Sequence, residues 1–333
     1  MTPGPLSTAD LVDMGDLDAL LIRIDHLCAD RRWDDVLDLR DRCRRAIERG
    51  RQLWPAASHA EYRLALEAPG PQAGAVLVAG TGRFALGPLA EVAASTHTWA
   101  ELRPHLGPTP EAGMVAHERV VRGEDLTGDD HVDPAVLELP LRLQPWEPDY
   151  PLATYRAHKL EVADVAPPHL DPVELRAVPA PAVDDPEATR ALEELAMAWK
   201  QESNGTAEAI AVAGDAAEAI AALRPVADLR MGEVTPADAL AVMAWAAASG
   251  GAHGRRRGMA YGRFSAWWAV AAVAGRLDDW PFRPDELGEA ASGLRWYRWT
   301  DTAGDAVTGW TLALAVADER RGRAWAVRAT DHT

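Results

Sequence analysis

The spacing of apolar residues changes along the chain, and this change constrains the fold more than any other feature of the sequence. Near the N-terminus the spacing is three and four residues, which places one apolar stripe on a helix. The residues that show it are Leu17, Leu20, Leu21, Ile24, Leu27 and Cys28, followed by Trp33, Val36, Leu37, Cys43 and Ile47. Near the C-terminus, Leu294–Thr300, Trp310–Val316 and Arg323–Ala329 alternate polar and apolar residues. Alternation is typical of half-buried strands, so these segments predict a three-stranded antiparallel meander.

Four short motifs predict where helices begin. Each places a hydroxyl three residues before a carboxylate, so that the hydroxyl accepts a hydrogen bond from the first helical turn and the acid reaches back. The motifs are Ser7–Asp10, Ser58–Glu61, Thr98–Glu101 and Thr235–Asp238. Short connections between the N-terminal helices indicate antiparallel neighbours, in a helical bundle or a short solenoid. These helices resemble the hairpins of tetratricopeptide arrays, although the repeat period of about 34 residues is missing.

Prolines and glycines divide the chain into three predicted segments. Residues 1–103 are expected to form a helical domain, residues 104–186 a Pro-rich extended or β segment and linker, and residues 187–333 an α+β domain that ends in the meander. Within the middle segment, strands or extended connectors are predicted at Leu137–Leu143, Tyr155–Val165 and Val173–Val178. The predicted fold class is therefore helix-rich α+β, with an irregular Pro-rich middle and C-terminal helices beside the meander.

Charge narrows the range of partners. The formal net charge is −17, whereas nucleic acid and anionic membranes both attract proteins with a positive field. Residues 253–333 are an exception, with 12 Arg against 10 Asp and Glu. Lys159 and Lys200 are the only lysines among 34 basic residues, and this bias indicates a bacterium with a high-GC genome. We therefore expect an acidic protein that binds no membrane, and nucleic-acid binding is not favoured.

The number of cysteines and the hydropathy of the chain predict the cellular compartment of the protein. Cys28 and Cys43 are the only cysteines, which is too few for a disulfide framework, and they form no CxxC motif for zinc or redox chemistry. The first residues lack the basic region and apolar core of a signal peptide. The most apolar stretch, Trp267–Gly275, is far shorter than the roughly 20 residues that span a bilayer. A cytoplasmic location is predicted.

The least ordinary segment is the loop Ser249–Gly258, which joins two predicted helices. Backbone N–H groups at a helix N-terminus favour anions, and guanidinium groups bind phosphate or carboxylate bidentately. The predicted ligand residues in and just after the loop are His253, Arg255, Arg256, Arg257, Tyr261 and Arg263. They favour a phosphorylated small molecule or another anionic ligand. The alternative is a solvated linker whose arginines reflect codon bias.

A second feature is an acidic run that contains histidine. His117, Asp129, His131 and Asp133 offer the imidazole and carboxylate ligands that divalent metals bind. Their spacing matches neither the EF-hand calcium loop nor the HExxH motif. The alternative is a solvated loop, and no metal or cofactor is predicted to be resident.

Tryptophan is enriched, with 13 Trp against 3 Phe, and eight of the 13 lie between Trp245 and Trp325. A predicted aromatic surface for a sugar, a base or a quaternary amine comprises Trp267, Trp296, Trp299 and Trp310, with Trp268 and Trp280 as further members. The alternative is a core between helix and sheet, since such side chains bury large areas. Trp296 and Trp299 point to opposite faces of one predicted strand, so at least one is expected outside a single core.

Catalytic motifs do not stand out in the sequence. We find no GxSxG nucleophile motif, and neither cysteine lies beside a plausible base. The expected function is therefore non-enzymatic: a protein that binds another protein through its helical hairpins and a Trp-rich C-terminal surface. The alternative is a protein that binds an anionic small molecule through the Gly250–Gly258 loop, as an enzyme or as a carrier. Nucleic-acid binding through the Arg-rich C-terminal quarter is a third reading.

Overall fold

Contacts between residues divide the chain into two compact units in the computed structural model. The structure describes residues 6–163, 165, 168–174, 180–224, 228–281, 283–301 and 309–332. Unit 1 comprises Met1–Val120, Leu126–Val136 and Ala153–Val162, and unit 2 comprises Val121–Asp125, Leu137–Leu152 and Ala163–Thr333. Residues 104–186, predicted as a segment of their own, are thus distributed over both units.

Unit 1 is built from helices and a small hairpin. Its helices are α1 (Thr8–Met14), α2 (Leu17–Ala29), α3 (Trp33–Glu48), α4 (Trp54–Glu67), α5 (Gly70–Gly74), α6 (Leu89–Ala94), α7 (Trp99–Leu102) and α8 (Pro110–Val120), with a 3-10 turn at Arg103–His105. The strands β1 (Ala153–Arg156) and β2 (Lys159–Val162) pair antiparallel. Leu20 and Ile24 on α2 are fully buried, as are Val36 and Leu39 on α3. The helices predicted from the apolar spacing are confirmed.

Unit 2 contains a six-stranded antiparallel sheet. Its strands are β3 (Asp171–Pro172), β4 (Thr206–Val212), β5 (Leu229–Val234), β6 (Arg295–Asp301), β7 (Trp310–Asp318) and β8 (Arg323–Asp331), in the order β3-β5-β6-β7-β8-β4. Its helices are α9 (Pro186–Glu194), α10 (Met197–Glu202), α11 (Ala216–Leu223), α12 (Pro236–Ala248), α13 (Met259–Val273) and α14 (Pro284–Ser292), with a 3-10 turn at Leu277–Asp279. The predicted C-terminal meander is confirmed as β6, β7 and β8, and with it the mixed α+β fold class.

Each face of this sheet has its own core. On one face Trp296 lies in a cluster with residues of α12 and α13, such as Met243 and Val270. On the other face Trp299 lies in a cluster with Ile220 of α11. Because side chains alternate across a strand, Trp296 and Trp299 are buried in different cores. Two cores therefore account for tryptophan on both faces of β6.

Three of the four predicted helix-start motifs form capping boxes. In each of them the hydroxyl of Ser7, Thr98 or Thr235 accepts from the backbone and the acid binds back. The motif Ser58–Glu61 instead lies inside α4, which begins at Trp54 with Pro55 in its first turn, and both of its polar residues are buried. The prediction of a helix start at Ser58 is wrong, because proline in the first turn already supplies the start.

The middle of the chain contains a helix, α8, where only extended structure was predicted. Pro110 occupies the first position of α8, where its missing N–H costs nothing, and the Thr109 Oγ1 accepts from the Ala112 N–H at 3.3 Å. Leu137–Leu143 is a connector without strand, and Tyr155–Val165 contributes to β1 and β2. The predicted strand Val173–Val178 falls mostly outside the described residues.

Candidate metal centre

The predicted anion loop between α12 and α13 is bound to carboxylates of the chain itself. The Ala252 N–H donates to the Asp331 carboxylate at 2.6 Å, and the Arg255 N–H donates to Glu202 at 3.0 Å. Arg257 forms an ion pair with the same Glu202 at 3.0 Å, and the His253 N–H donates to the Ser203 hydroxyl. These backbone donors already have anionic or hydroxyl acceptors from unit 2.

Arg263, the last residue of the predicted anion set, points into the interior. Its guanidinium pairs with Glu147 through two contacts of 2.7 Å and also donates to the carbonyl oxygens of Pro140 and Arg142. Both charged side chains of the pair are fully buried. The Tyr150 hydroxyl and the Trp267 indole N–H donate to the same carboxylate. Burial next to Glu147 holds the pKa of Tyr150 well above its usual range.

The predicted aromatic surface is mostly interior. Trp267, Trp296 and Trp299 are at most 3% exposed, so they are core side chains and offer no surface to a ligand. Trp310 is half-buried and stacks on Trp245 with 5.2 Å between ring centroids. The structure therefore supports the alternative of a core for three of the four residues, because each face of the sheet is covered by helices.

The four residues of the weaker metal prediction bond to different parts of unit 1. His117 is buried with its Nε2 at 2.7 Å from the Val136 carbonyl, and His131 contacts the Leu106 carbonyl. Asp129 accepts from the Trp99 indole and from Arg103, and Asp133 accepts from the Ala135 N–H. Within the described residues they do not converge on one point.

A different group of two imidazoles and a carboxylate does converge in unit 1. Asp25 lies on α2, His59 on α4, and His158 in the turn between β1 and β2. The His59 Nε2 is 3.1 Å from one carboxylate oxygen of Asp25, and the His158 Nε2 is 3.5 Å from the other. The three potential ligand atoms all lie within 4.8 Å of one another. We call these three residues the His–Asp cluster.

Two contacts hold the hairpin that supplies His158. The Tyr155 hydroxyl donates to the buried Glu91 carboxylate at 2.7 Å, and the Tyr62 hydroxyl of α4 donates to the Arg156 carbonyl. The rings of His59 and His158 stack at 5.4 Å between centroids, with planes 21° apart. Both contacts involve β1, so this strand is held to α6 through Glu91 and to α4 through Tyr62.

The electrostatics of the His–Asp cluster leave a net negative charge. Arg63 contacts Asp25 and also pairs with Glu67 at 2.9 and 3.0 Å, so two carboxylates share one guanidinium. Burial is the main cause that lowers the pKa of His59, although its hydrogen bond to Asp25 acts the other way. The neutral imidazole, which has the lone pair that a metal needs, is therefore the favoured form at neutral pH.

A small pocket opens beside the cluster. It has a volume of about 190 Å³ and is lined by His59, Tyr62, Phe84, Ala85, Leu86, Ala157 and His158. Phe84 and Leu86 are 57% and 42% exposed, so the rim of the pocket is apolar and open to solvent. Two imidazoles on one wall and apolar side chains around them suit a small ligand with one polar end.

Sequence reasoning missed this cluster because its members are far apart along the chain. Asp25 and His59 are 34 positions apart, and His158 lies in another segment of unit 1. His59 on its own looks like an ordinary helical histidine. Only the packing of α2, α4 and the hairpin brings the three side chains together. No local sequence motif predicts that packing.

Comparison with known proteins places the chain in a family without assigning a function. The fold and the site together define a class of protein: a mixed α+β protein with a cluster of two histidines and one aspartate. The chain belongs to DUF6183, a family of unknown function, whose sequence model matches residues 18–333. No curated protein and no solved structure matches the chain. Among the described residues, no helix has both the length and the apolar character of a membrane span.

Proposed function

We propose that unit 1 binds a divalent transition-metal ion through Asp25, His59 and His158, and that the neighbouring pocket receives a small ligand of that ion. The observation that carries this proposal is the convergence of three ligand atoms within 4.8 Å beside an open pocket. Imidazole nitrogen and carboxylate oxygen together suit zinc and its neighbours in the periodic table. Calcium and magnesium, which prefer oxygen ligands alone, fit this set less well.

The present distances suit such an ion. Zinc binds imidazole and carboxylate at about 2.0 to 2.2 Å, so neighbouring ligand atoms of a tetrahedral site are about 3.3 Å apart. The His59 nitrogen lies 3.1 Å from one Asp25 oxygen and the His158 nitrogen lies 3.5 Å from the other, and both distances are close to that spacing. Asp25, His59 and His158 would hold the ion, which would take the place of the hydrogen bond between His59 and Asp25 and would compete with Arg63 for the Asp25 carboxylate.

An ion with three protein ligands has a free position for water or a ligand. This is the usual arrangement of catalytic zinc sites, where the pKa of the bound water falls to about 7. The pocket lined by His59 and His158 would hold the ligand of such an ion. We therefore propose a metal-dependent binding or hydrolytic role for a small ligand with an apolar part.

Metal titration tests this proposal. Chelator-treated protein is titrated with Zn²⁺ by calorimetry and with Co²⁺ by absorbance, and we expect one ion per chain. His59→Ala, His158→Ala and Asp25→Asn should each weaken binding by about tenfold or more. His26→Ala is the matched control, because His26 is the exposed neighbour of Asp25 on α2 and lies outside the cluster. Absence of saturable binding, or an equal loss with His26→Ala, would overturn the proposal.

Protein interaction is a second proposal, and an apolar segment of unit 1 favours it. Val78, Phe84 and Leu86, on the connection between α5 and α6, are 42 to 57% exposed. Clustered exposed apolar side chains mark contact surfaces more often than isolated ones do, and these three lie within nine residues of one another in the sequence. A photoreactive amino acid at position 84 should cross-link one defined partner in the native host. The same residue at Asp130, whose side chain is 91% exposed, is the control.

A further inference from the structure

An aromatic stripe runs along the outer side of α13 in unit 2. Tyr261, Phe264 and Trp268 are spaced by three and four residues, which places them on one face of the helix. The centroids of adjacent rings along the stripe are 6.3 Å apart, and Trp280 packs edge-on against Phe264 and Trp268 at 5.6 and 5.3 Å. All four side chains are only partly buried. The stripe therefore keeps part of its aromatic surface accessible, unlike Trp267, which is buried.

A pocket lies between this stripe and α9. Its volume is about 160 Å³, and its walls are Ala191 and Glu194 of α9 with Tyr261, Phe264, Ser265 and Trp268 of α13. Pockets for drug-sized ligands measure roughly 300 to 1,000 Å³, so only a small ligand fits here. The side chain of Glu194 has no hydrogen-bond or ion-pair partner within the described residues. A partly buried acidic residue thus lines the same small pocket as three aromatic residues.

We infer that this pocket binds a small organic cation of the alkylammonium class. The faces of aromatic rings carry negative potential and attract ammonium groups, most strongly when the groups lose part of their water. The Glu194 carboxylate adds a full negative charge to the same space, which excludes anions and favours a cation over a neutral sugar. The formal net charge of −17 also raises the local concentration of cations around the protein.

Arg257 shows that this surface already attracts a cation. Its guanidinium lies over the Tyr261 ring at 5.7 Å, at the end of the stripe nearest the N-terminus of α13. Arg257 is anchored there by its ion pair with Glu202. The pocket at Phe264, Trp268 and Glu194 lies further along the same helix face. It offers the same ring chemistry together with Glu194, which has no ion-pair partner in the part of the chain that the structure describes.

Calorimetric titration with choline tests the inference. Wild-type protein should bind choline saturably, and the neutral isostere 3,3-dimethyl-1-butanol should bind at least about tenfold more weakly. Glu194→Gln and Trp268→Leu should each weaken choline binding by a similar factor. Glu187→Gln, an exposed change on the same helix, should leave it unchanged. Thermal melts of the variants establish that they are folded, and titration in matched sodium chloride removes general salt effects.

The source of the cation is distinguished by a second titrant. A short peptide with trimethyl-lysine carries the same group on a protein chain, and we expect choline to bind at least as tightly because the pocket is small. Tighter binding of the peptide would still support a pocket for alkylammonium groups. It would identify a methylated protein, and not a free small molecule, as the source of the bound cation. Absence of saturable choline and peptide binding, or equal binding of choline and its neutral isostere, would overturn the inference. Neither result bears on metal binding by unit 1.

Discussion

Glu147 organises a hydrogen-bonded network in the interior of unit 2. Its two oxygens accept from Arg263, from the Tyr150 hydroxyl and from the Trp267 indole, and its side chain is fully buried. Removing one partner of a buried ion pair leaves an uncompensated charge, which costs much more than an exposed pair contributes. Arg263 therefore acts as a structural residue, although its position after the loop suggested a ligand.

Arg263→Met tests this role. We expect it to lower the free energy of unfolding by about 3 to 5 kcal/mol, measured by urea denaturation. The matched control is Arg32→Met, because Arg32 and its partner Asp35 are 57% and 50% exposed and their pair contributes less than about 1 kcal/mol. The double variant Arg263→Met with Glu147→Leu should lose less than the sum of the two single changes. Equal losses for Arg263→Met and Arg32→Met would contradict the structural role.

The chemical type of a residue did not reveal its environment in several places. Arg263 and Trp267 are one turn apart on α13, and both contact Glu147, which is 116 and 120 positions away in the sequence. Trp268, the neighbour of Trp267, is only partly buried. The sequence pattern places both tryptophans on a helix, but only the partner elements decide which one faces the interior.

At the scale of elements, α12 and α13 approach each other closely at Gly262. A β-carbon at this position would lie 2.3 Å from the Ala244 carbonyl oxygen of α12, which no side chain rearrangement can relieve. Alanine usually stabilises a helix interior relative to glycine by about 1 kcal/mol. At position 262 the clash between a β-carbon and the backbone of α12 costs more free energy than the higher helix propensity of alanine contributes.

Gly262→Ala should therefore destabilise unit 2. We expect a loss of about 1 to 3 kcal/mol in the free energy of unfolding, as for other overpacked cores. Ala241→Gly on the partly exposed side of α12 is the companion change, and it should cost about 1 kcal/mol through helix propensity alone. Alanine would thus be the worse residue at position 262 and the better residue at position 241. A gain of stability with Gly262→Ala would contradict the close approach.

Helices and strands with a strong local sequence pattern could be predicted from the sequence. The way in which these elements pack against one another could not. The meander follows from alternation in β6, β7 and β8, and α12 follows from the Thr235–Asp238 box. Alternation does not say what covers the second face of a sheet, so the core under α11 was not foreseen. The His–Asp cluster depends on which helix faces are neighbours, and that is decided by packing over long sequence separations.

At the scale of the whole molecule, charge governs the choice of partners. The chain carries a formal net charge of −17, and only residues 253–333 have a slight excess of arginine. Several of those arginines are already paired, such as Arg263 with Glu147 and Arg295 with Glu233. These pairs reduce the positive charge that the C-terminal quarter can offer to an anionic partner.

We expect no saturable binding of a short DNA duplex at physiological ionic strength. Non-specific binding depends on neutralising phosphates with free cations, and its affinity falls steeply with salt. Fluorescence anisotropy at several salt concentrations is the measurement, with a basic DNA-binding protein as the positive control. Tight binding with a steep negative salt slope would show that a basic surface exists.

The parts of unit 1 are synthesised in an order that the path of the chain sets. The helices α1 to α8 precede the hairpin β1–β2, and residues 137–152, which belong to unit 2, lie between them. Because a ribosome delivers the chain from its N-terminus, α2 and α4 are synthesised well before His158. Asp25 and His59 are synthesised first, and the third residue of the cluster follows with the hairpin, which contacts Tyr62. The hairpin is thus the last part of unit 1 to be synthesised, so Asp25 and His59 leave the ribosome before the residue that completes the cluster.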